Sequence, residues 1–579
     1  MKGLVKLGKY HPTERYDKPE SFRTIIKKSS EKFGSKPLFK YIKKNNEIGE
    51  VTFTQFFNDV KSLGTAMLEM GLGGKRFAIL AESRPEWVAA YLAAMCTGSV
   101  VVPLDKELLE DQLENFLVLS EADILFYSDA FEDKIKKMAS RLTKIKYFVC
   151  FDTITDNISG KFKNYRDVIT NGQRLLAEGN NLYEKLRVDT SKLGAIIFTS
   201  GTTGTSKGVM LTQDNILSCI HASANMVDFS ENDVLFSVLP LHHTYETSCG
   251  ILTPIYIGCT ICFNNSLKYF LKNIKIFKPT GITLVPLFVT TIYKKIMEEI
   301  KKKGKEKLFK SAVVVTKNLR RVGVDIRSVA FGEVSKALGG SLKKIISGGA
   351  PLEPSLIDRF DEFGINISEG YGITECSPLV SVNPFNNRKT HSVGIPIKGS
   401  VVKIIMEDDN GNEVDAPIGE IGEICIKGPQ VMIGYYNNPE ATAAAFSQEG
   451  FFKSGDYGYI DADGYIFITG RKKNIIVLQN GKNIYPEEIE EYLYKLDIIS
   501  ECVVIGREVE GEEIMLTAII YPDYTKFEGM EQSVIVEIMK AEVAKINKQL
   551  PIFKQVRNIE LKKTEFEKTT TKKIIRHKI

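Results

Sequence analysis

Ten residues, Thr199-Ser200-Gly201-Thr202-Thr203-Gly204-Thr205-Ser206-Lys207-Gly208, follow directly on the apolar run Ala195-Ile196-Ile197-Phe198. A short apolar run of this kind reads as a buried strand, and a segment so dense in glycine and hydroxyl side chains cannot continue it. The chain must leave a sheet there into a loop whose backbone can wrap a ligand. Glycines let the main chain approach a polyphosphate closely, amides and hydroxyls donate hydrogen bonds, and Lys207 adds positive charge. A P-loop needs Gly-Lys-Ser/Thr in succession, with the hydroxyl on magnesium. Lys207 has Ser206 before it and Gly208 after it, so that pattern fails. The remaining alternative is a polar hairpin with no ligand.

The surrounding chain alternates strands with helices. Thr52 and Gln55 have the spacing of a capping box, and Phe56, Val60, Leu63, Met67 and Met70 follow at helical intervals up to Gly71. Phe77–Leu80, Val100–Pro103, Asp123–Tyr127 and Lys146–Cys150 are apolar runs of strand length, with a helix around Trp87 between the first two. That rhythm predicts a parallel sheet covered on both faces. At 579 residues the chain exceeds what one core serves. The texture changes at Gly470-Arg471-Lys472-Lys473-Asn474. Beyond it, Pro486-Glu487-Glu488 starts a helix, a strand lies over 514–521, and Val536, Met539, Val543, Ile546 and Leu550 mark a last helix ended by Pro551. The expected architecture is α/β: a large N-terminal domain of layered α/β sub-lobes over 1–470 and a small α+β C-terminal domain over 471–579.

A hydrophobic content of 43% and a charged content of 26% are those of a folded soluble protein. The 77 basic and 72 acidic residues leave only +5, so nucleic acid is not an expected partner. Cys259 and Cys262 form a lone CxxC inside an apolar run, Tyr256–Phe263, which reads as a buried strand, because no second pair or nearby histidines support zinc. Nine scattered cysteines fit a reducing, cytoplasmic setting. Met1–Tyr16 is basic and polar, unlike a signal peptide. No apolar stretch reaches about 18 residues, so any lipid contact must be peripheral. The lysine-rich stretch 294–310 reads as a solvated helix end, with a membrane-surface patch as the alternative.

The loop at 199–208 resembles that of the adenylate-forming superfamily, which includes acyl-CoA synthetases, luciferases and peptide-synthetase adenylation domains. Further segments resemble that family in order along the chain. Pro240-Leu241-His242-His243-Thr244-Tyr245-Glu246 is similar to its histidine motif, and Ser347-Gly348-Gly349-Ala350-Pro351-Leu352 to its adenine-packing segment. Tyr371-Gly372-Ile373-Thr374-Glu375 and Phe452-Lys453-Ser454-Gly455-Asp456 complete the set. The resemblance implies ATP bound by Thr199, Ser200, Gly201, Thr202, Thr203, Gly204, Lys207, Gly349, Ala350, Pro351, Tyr371, Thr374, Asp456 and Arg471. Within that set Tyr371 would stack on adenine, Thr374 meet the α-phosphate, and Asp456 take the ribose hydroxyls. Magnesium would fall to Glu375 and Thr199, and His243 would orient the substrate carboxylate or gate the pocket.

The same resemblance places a catalytic lysine near the C-terminus. Family members usually read Thr-x-Ser/Thr-Gly-Lys-Ile there. Aligning Thr569, Thr571 and Ile574 puts the lysine at Lys573, and the position usually held by glycine is Lys572, the competing candidate. A carboxylate and an α-phosphate repel, so a bridging cation is what the reaction needs. Lys473, two residues after Arg471, falls on the family's hinge. The small domain would turn there between forming acyl-AMP and presenting a second face, near Gly481, to coenzyme A.

The histidine segment, together with Phe331-Gly332 and Leu338-Gly339-Gly340, is most like long-chain fatty acid–CoA ligases. The expected substrates are therefore a medium- or long-chain fatty acid, ATP with magnesium, and coenzyme A. The alternatives are a related ligase using another carboxylic acid or an acyl-carrier acceptor, and a non-catalytic nucleotide or lipid sensor.

Overall fold

The computed structural model describes residues 14–154, 160–199, 206–408, 410–478, 483–507, 514–569 and 573–579. An eight-stranded sheet runs in the order Gly434–Tyr435, Lys207–Thr212, Leu193–Thr199, Val100–Pro103, Arg76–Leu80, Ile124–Tyr127, Tyr147–Cys150, Phe162–Asn164. Its central pairs are parallel. Helices on both faces explain why Phe77, Ala78, Ile79 and Leu80 are all buried, with no polar alternation. The helix Pro85–Cys96 opens on proline and is buried all round, Trp87 included.

The capping box forms as its spacing predicts. Gln55 N donates to Thr52 Oγ1 at 3.2 Å and Thr52 N donates to Gln55 Oε1 at 2.9 Å. The helix Phe53–Glu69 then buries Phe56, Val60, Leu63 and Met67. Gly71 turns the chain at φ 70°, a conformation that favours glycine.

A second sheet has nine strands. From one edge they are Ile395–Pro396, Leu379–Val382, Asn366–Gly372, Lys344–Gly348, Gly281–Leu284, Val234–Ser237, Thr260–Phe263, Pro37–Ile42 and Ile48–Thr52. A third, antiparallel sheet orders Glu413–Asp415, Val401–Glu407, Gly422–Lys427, Phe452–Ile460 and Ile466–Arg471. The C-terminal part carries three strands, Ile499–Arg507, Met515–Pro522 and Asn558–Leu561, with the helices Pro486–Leu493 and Gln532–Asn547. These enclose an apolar core of their own, including Ile489, Leu493, Val504, Ile520, Met539 and Val543. The expected α/β class, with a large N-terminal and a small α+β C-terminal domain, is what the chain adopts.

Three local expectations differ. Tyr256 and Ile257 end a helix, Thr253–Ile257, and Gly258 at φ 97° reverses the chain before the strand Thr260–Phe263, so only half of the apolar run is strand. Cys259 and Cys262 are buried and unbridged, as are six of the other cysteines, while Cys249 is half-buried. In the last helix the buried face starts at Ile535, four residues before Met539, and leaves Val536 half-exposed. The lysine-rich stretch spans two helices, Pro286–Lys302 and Glu306–Arg321, rather than one frayed end. Among the described residues no helix is long and apolar enough to cross a membrane.

The strands Phe452–Ile460 and Ile466–Arg471 set Asp456 opposite Arg471. Their register depends on Gly458, where a Cβ would stand 2.1 Å from Phe467 O. Gly458→Ala is expected to spread the two strands, cost about 1–3 kcal/mol of stability and weaken ATP binding. Thermal denaturation with and without ATP checks both effects.

Candidate active site

The two strands flanking the glycine-rich loop bring Thr199 opposite Lys207, and Thr199 Oγ1 donates to Lys207 O at 3.4 Å. Ser200–Gly204 lie outside the described residues. Lys207 Nζ stands 4.8 Å from the ring centroid of Tyr435, whose hydroxyl donates to Glu375 Oε1 at 2.9 Å. The main chain of Glu375 accepts from Met432 N at 2.7 Å. Three distant segments are thereby tied around the loop's exit, with Thr374 beside Glu375 in the single turn Thr374–Cys376. Thr199, Lys207, Thr374 and Glu375 all line one open cleft of about 2710 Å³.

Asp456 is the buried centre of the next group. Arg471 Nε approaches its Oδ1 at 2.7 Å and the Tyr371 hydroxyl donates to Oδ2 at 2.6 Å. Burial pushes the Asp456 carboxyl above its ordinary value, opposed by the charges of Arg471 and Lys573 and by the Tyr371 hydrogen bond. Behind it, Glu423 accepts from Gly455 N at 3.0 Å and pairs with Lys472 at 2.8 Å. This carboxylate fixes the Ser454-Gly455 turn from a third strand. Sequence reasoning missed it because Gly422–Lys427 reads only as an apolar strand.

Lys573 comes to this cleft from the far end of the chain. Its backbone is tied to Thr569: Thr569 N donates to Lys573 O at 2.8 Å and Lys573 N donates to Thr569 Oγ1 at 3.2 Å. Its Cε lies 3.9 Å from where a Cβ on Gly349 would stand. Gly349 has φ 86°, so the turn Gly349-Ala350-Pro351 requires glycine there and leaves the lysine room. Lys573 is open to the cleft, yet the surrounding walls desolvate its ammonium and Arg471 repels it. Both hold its pKa below the usual lysine value, with Asp456 pulling the other way. Lys572 lies outside the described residues.

His243 shares this neighbourhood. Its ring centroid is 4.1 Å from that of His242, and His242 Nε2 stands 3.4 Å from Asp105 Oδ2. Burial pushes the His243 imidazole down to about 3, helped by His242 and Lys573 and opposed by Asp105. His243 is therefore neutral at physiological pH and offers one N–H donor.

The segment after the histidines, Tyr245–Leu252, is a π-helix, a rare geometry that often marks functional sites. It turns Tyr245 inward, where its hydroxyl donates to Ile346 O at 3.2 Å against Gly348, whose own Cβ would stand 3.1 Å from the tyrosine ring. Glu246 is fully buried. Ser237 Oγ donates to its Oε1 at 2.5 Å, while Oε2 has no partner among the described residues and faces Gly250. Burial pushes this carboxyl up to about 8. The sequence offered no signal for that, because a glutamate beside two histidines looks like a polar site residue.

Arg471 ends the strand Ile466–Arg471, and Lys473 sits in the turn Lys472–Asn474 that follows. Burial, with Arg471 and Arg576 nearby, lowers the Lys473 ammonium, against Glu487 and Asp456. Gly481 lies outside the described residues.

Residues 26–436 match the family model described as AMP-binding enzyme, and residues 473–579 match AMP-binding enzyme C-terminal domain. The chain is 28% identical over 500 residues to long-chain-fatty-acid–CoA ligase FadD15 of Mycobacterium tuberculosis, covering 83% of this chain and 79% of that protein. It is 26% identical over 557 residues to long-chain-fatty-acid–[acyl-carrier-protein] ligase AEE15, chloroplastic, of Arabidopsis thaliana, covering 85% and 75%. Among solved structures, the anthranilate CoA ligase AuaEII in complex with anthranoyl-AMP superposes with a TM-score of 0.77 at 22% identity, over 97% of each chain. That likeness establishes the fold.

The buried Glu246 has a consequence for stability. The folded chain keeps its proton up to about pH 8, whereas an unfolded glutamate loses it near ~4.3. The stability this group adds is complete below the lower value and is lost as pH rises through the higher one, at about 1.4 kcal/mol per pH unit between them. The unsubstituted chain is expected to lose melting temperature between pH 5 and pH 8, and Glu246→Gln, which stays neutral throughout, to flatten that fall.

Proposed function

The chain belongs to the AMP-binding enzyme family, and on that premise we propose that it is a fatty acid–CoA ligase. It joins a medium- or long-chain fatty acid to the α-phosphate of ATP, releases pyrophosphate, and passes the acyl group to coenzyme A. The observation that carries this reading is the position of Lys573, a C-terminal cation delivered to the Gly349 turn beside Arg471, Asp456 and His243.

The carboxylate oxygen attacks the α-phosphorus, and the bond from that phosphorus to the bridging oxygen of pyrophosphate breaks. Two anions must approach for this, and Lys573 lies where its ammonium can bridge them and stabilise charge as it develops. Neutral His243 donates its N–H to the carboxylate without drawing a second counterion into the site. Asp456 and Arg471 hold the ribose, Tyr371 stacks on the adenine, and Thr374 donates to the α-phosphate. Lys207 and the loop amides hold the β- and γ-phosphates. Val227, Phe229, Cys249, Leu379 and Val382 supply an apolar wall for the acyl chain.

Among the described residues no cluster of three or more His, Cys, Asp or Glu could bind a metal unaided. One carboxylate, Glu375, and one hydroxyl, Thr199, on the same cleft suit magnesium, which keeps most of its waters and substrate phosphate oxygens as ligands. Held there, magnesium would supply positive charge to the departing pyrophosphate.

In the second half-reaction the coenzyme A thiol, giving up its proton, attacks the acyl carbonyl, and AMP leaves. Lys573 is not needed for that step. Residues 471–579 turn about Lys473 to withdraw it and to bring the face near Gly481 to the cleft. A carrier-protein thiol in place of coenzyme A is the second reading, supported by the likeness to the plant acyl-carrier-protein ligase.

A screen of AMP release over fatty acids of graded length, with and without coenzyme A, tests the assignment. AMP release that needs both acid and coenzyme A, and that rises toward longer chains, is expected. ATP binding with no acid-dependent pyrophosphate release would overturn the enzyme reading. Lys573→Ala is expected to lower acid-dependent ATP–pyrophosphate exchange by about 10²–10³, yet to leave thioester formation from supplied acyl-AMP within a few fold. Lys472 and Lys572 should not show that split. Lys473→Pro is expected to give the opposite one, sparing exchange and blocking thioester formation.

A further inference from the structure

The positive charge of this chain is concentrated in one place. Residues 294–336 contain 13 Lys or Arg and 5 Asp or Glu, a net of +8, whereas the whole chain nets +5. The rest of the molecule is therefore net negative. The segment includes the helix Glu306–Arg321, which packs on the helices Pro286–Lys302 and Pro354–Glu362. It does so through Phe309, Ala312, Val313 and the buried Thr316. Its other side is open, and that side is not polar. Leu308 and Val315 lie seven residues apart on one stripe of the helix, and Val322 follows seven on at its C-cap, at 66%, 49% and 73% exposure. Val314, Val324 and Val329 are exposed next to them.

The cations from Lys303 to Arg327 divide into two sets. Lys303 and Lys305 pair with Glu333, Lys317 with Glu362, Arg320 with Asp361, and Arg327 with Asp325. Among the described residues, Lys307, Lys310 and Arg321 form no ion pair and are exposed around the aliphatic stripe. A solvated helix end would not present six uncovered aliphatic side chains there. An acidic protein would neutralise the cations and leave the stripe unexplained. A bilayer interface satisfies both, because aliphatic side chains enter the acyl boundary while Lys and Arg meet the headgroup phosphates.

The surface is also continuous with the cleft. The helix Pro286–Lys302 lines the cleft with Leu287, Thr290, Thr291 and Lys294, and its last turn carries Lys301 and Lys302 into the basic face. We propose that the outer face of Glu306–Arg321, with the chain on to Val329, is a docking surface for an anionic lipid bilayer. Docked this way, the enzyme holds one wall of its cleft next to the phase in which a long-chain acid dissolves.

The test is co-sedimentation of the full chain with vesicles of phosphatidylcholine alone, or of phosphatidylcholine with phosphatidylglycerol, at low and high salt. Neither ATP nor acid is present, so its outcome is independent of the proposed ligase activity. Binding is expected with phosphatidylglycerol only, and should weaken in high salt. The combined substitution Lys307→Gln, Lys310→Gln and Arg321→Gln should weaken it on the order of 100-fold. Lys307→Arg with Lys310→Arg should retain it. Leu308→Ser with Val315→Ser and Val322→Ser should also weaken it, while leaving activity on a detergent-dispersed acid unchanged. A chain that stays in the supernatant with phosphatidylglycerol vesicles overturns the proposal. So does undiminished binding by the serine variant, which would point instead to an acidic macromolecule as the partner.

Discussion

Two cations, Arg471 and Lys573, share one cleft, and the buried carboxylate of Asp456 makes their approach tolerable. Arg471 stands at 2.7 Å from that carboxylate. Lys573 is repelled by the guanidinium and drawn by the same acid. Removing Asp456 would leave two like charges in a desolvated corner without the carboxylate that lies between them. The antiparallel pair Phe452–Ile460 and Ile466–Arg471 sets this balance by placing Asp456 and Arg471 opposite one another. Everything else in the site is arranged around it: the Tyr371 hydroxyl on the second carboxylate oxygen, the Gly349 turn that admits the lysine, and Glu423 behind the Ser454-Gly455 bend.

Burial acts on the site in two directions. It strips the charge from His243, leaving a neutral donor among cations. It also keeps a proton on Glu246, which lets a carboxyl sit in the core under the π-helix Tyr245–Leu252. Both residues belong to one short segment, Leu241–Glu246, and both are uncharged near neutral pH. Positive charge in the proposed adenylation geometry is thereby reserved for Lys573, Arg471 and Lys207.

Much of this was legible in the sequence. The capping box at Thr52 and Gln55, the apolar strands of the eight-stranded sheet and the polar break after Gly470 all carry local signals that packing did not override. The cleft residues Thr199, Lys207, His243, Gly349, Tyr371, Thr374, Glu375, Asp456, Arg471 and Lys573 do converge on one cavity. What could not be read is what depends on contacts distant in sequence. Tyr435 and Glu423 touch the site from segments with no distinguishing pattern. The half-helical character of Tyr256–Phe263 depends on a left-handed Gly258 inside a uniformly apolar run. The shift of the buried face from Val536 to Ile535 is a one-residue phase that the core decides, not the spacing. The basic stretch 294–310 looked like an ordinary solvated helix end, because exposure of Leu308, Val315 and Val322 becomes visible only once the helix is packed.

In the proposed reaction a carboxylate oxygen attacks the α-phosphorus of ATP. The direct measurement is a turnover with a fatty acid carrying ¹⁸O in its carboxylate, followed by mass analysis of the nucleotide and phosphate products. One labelled oxygen in AMP and none in pyrophosphate is the expected result. Label appearing in inorganic phosphate, or AMP formed without label, would contradict it.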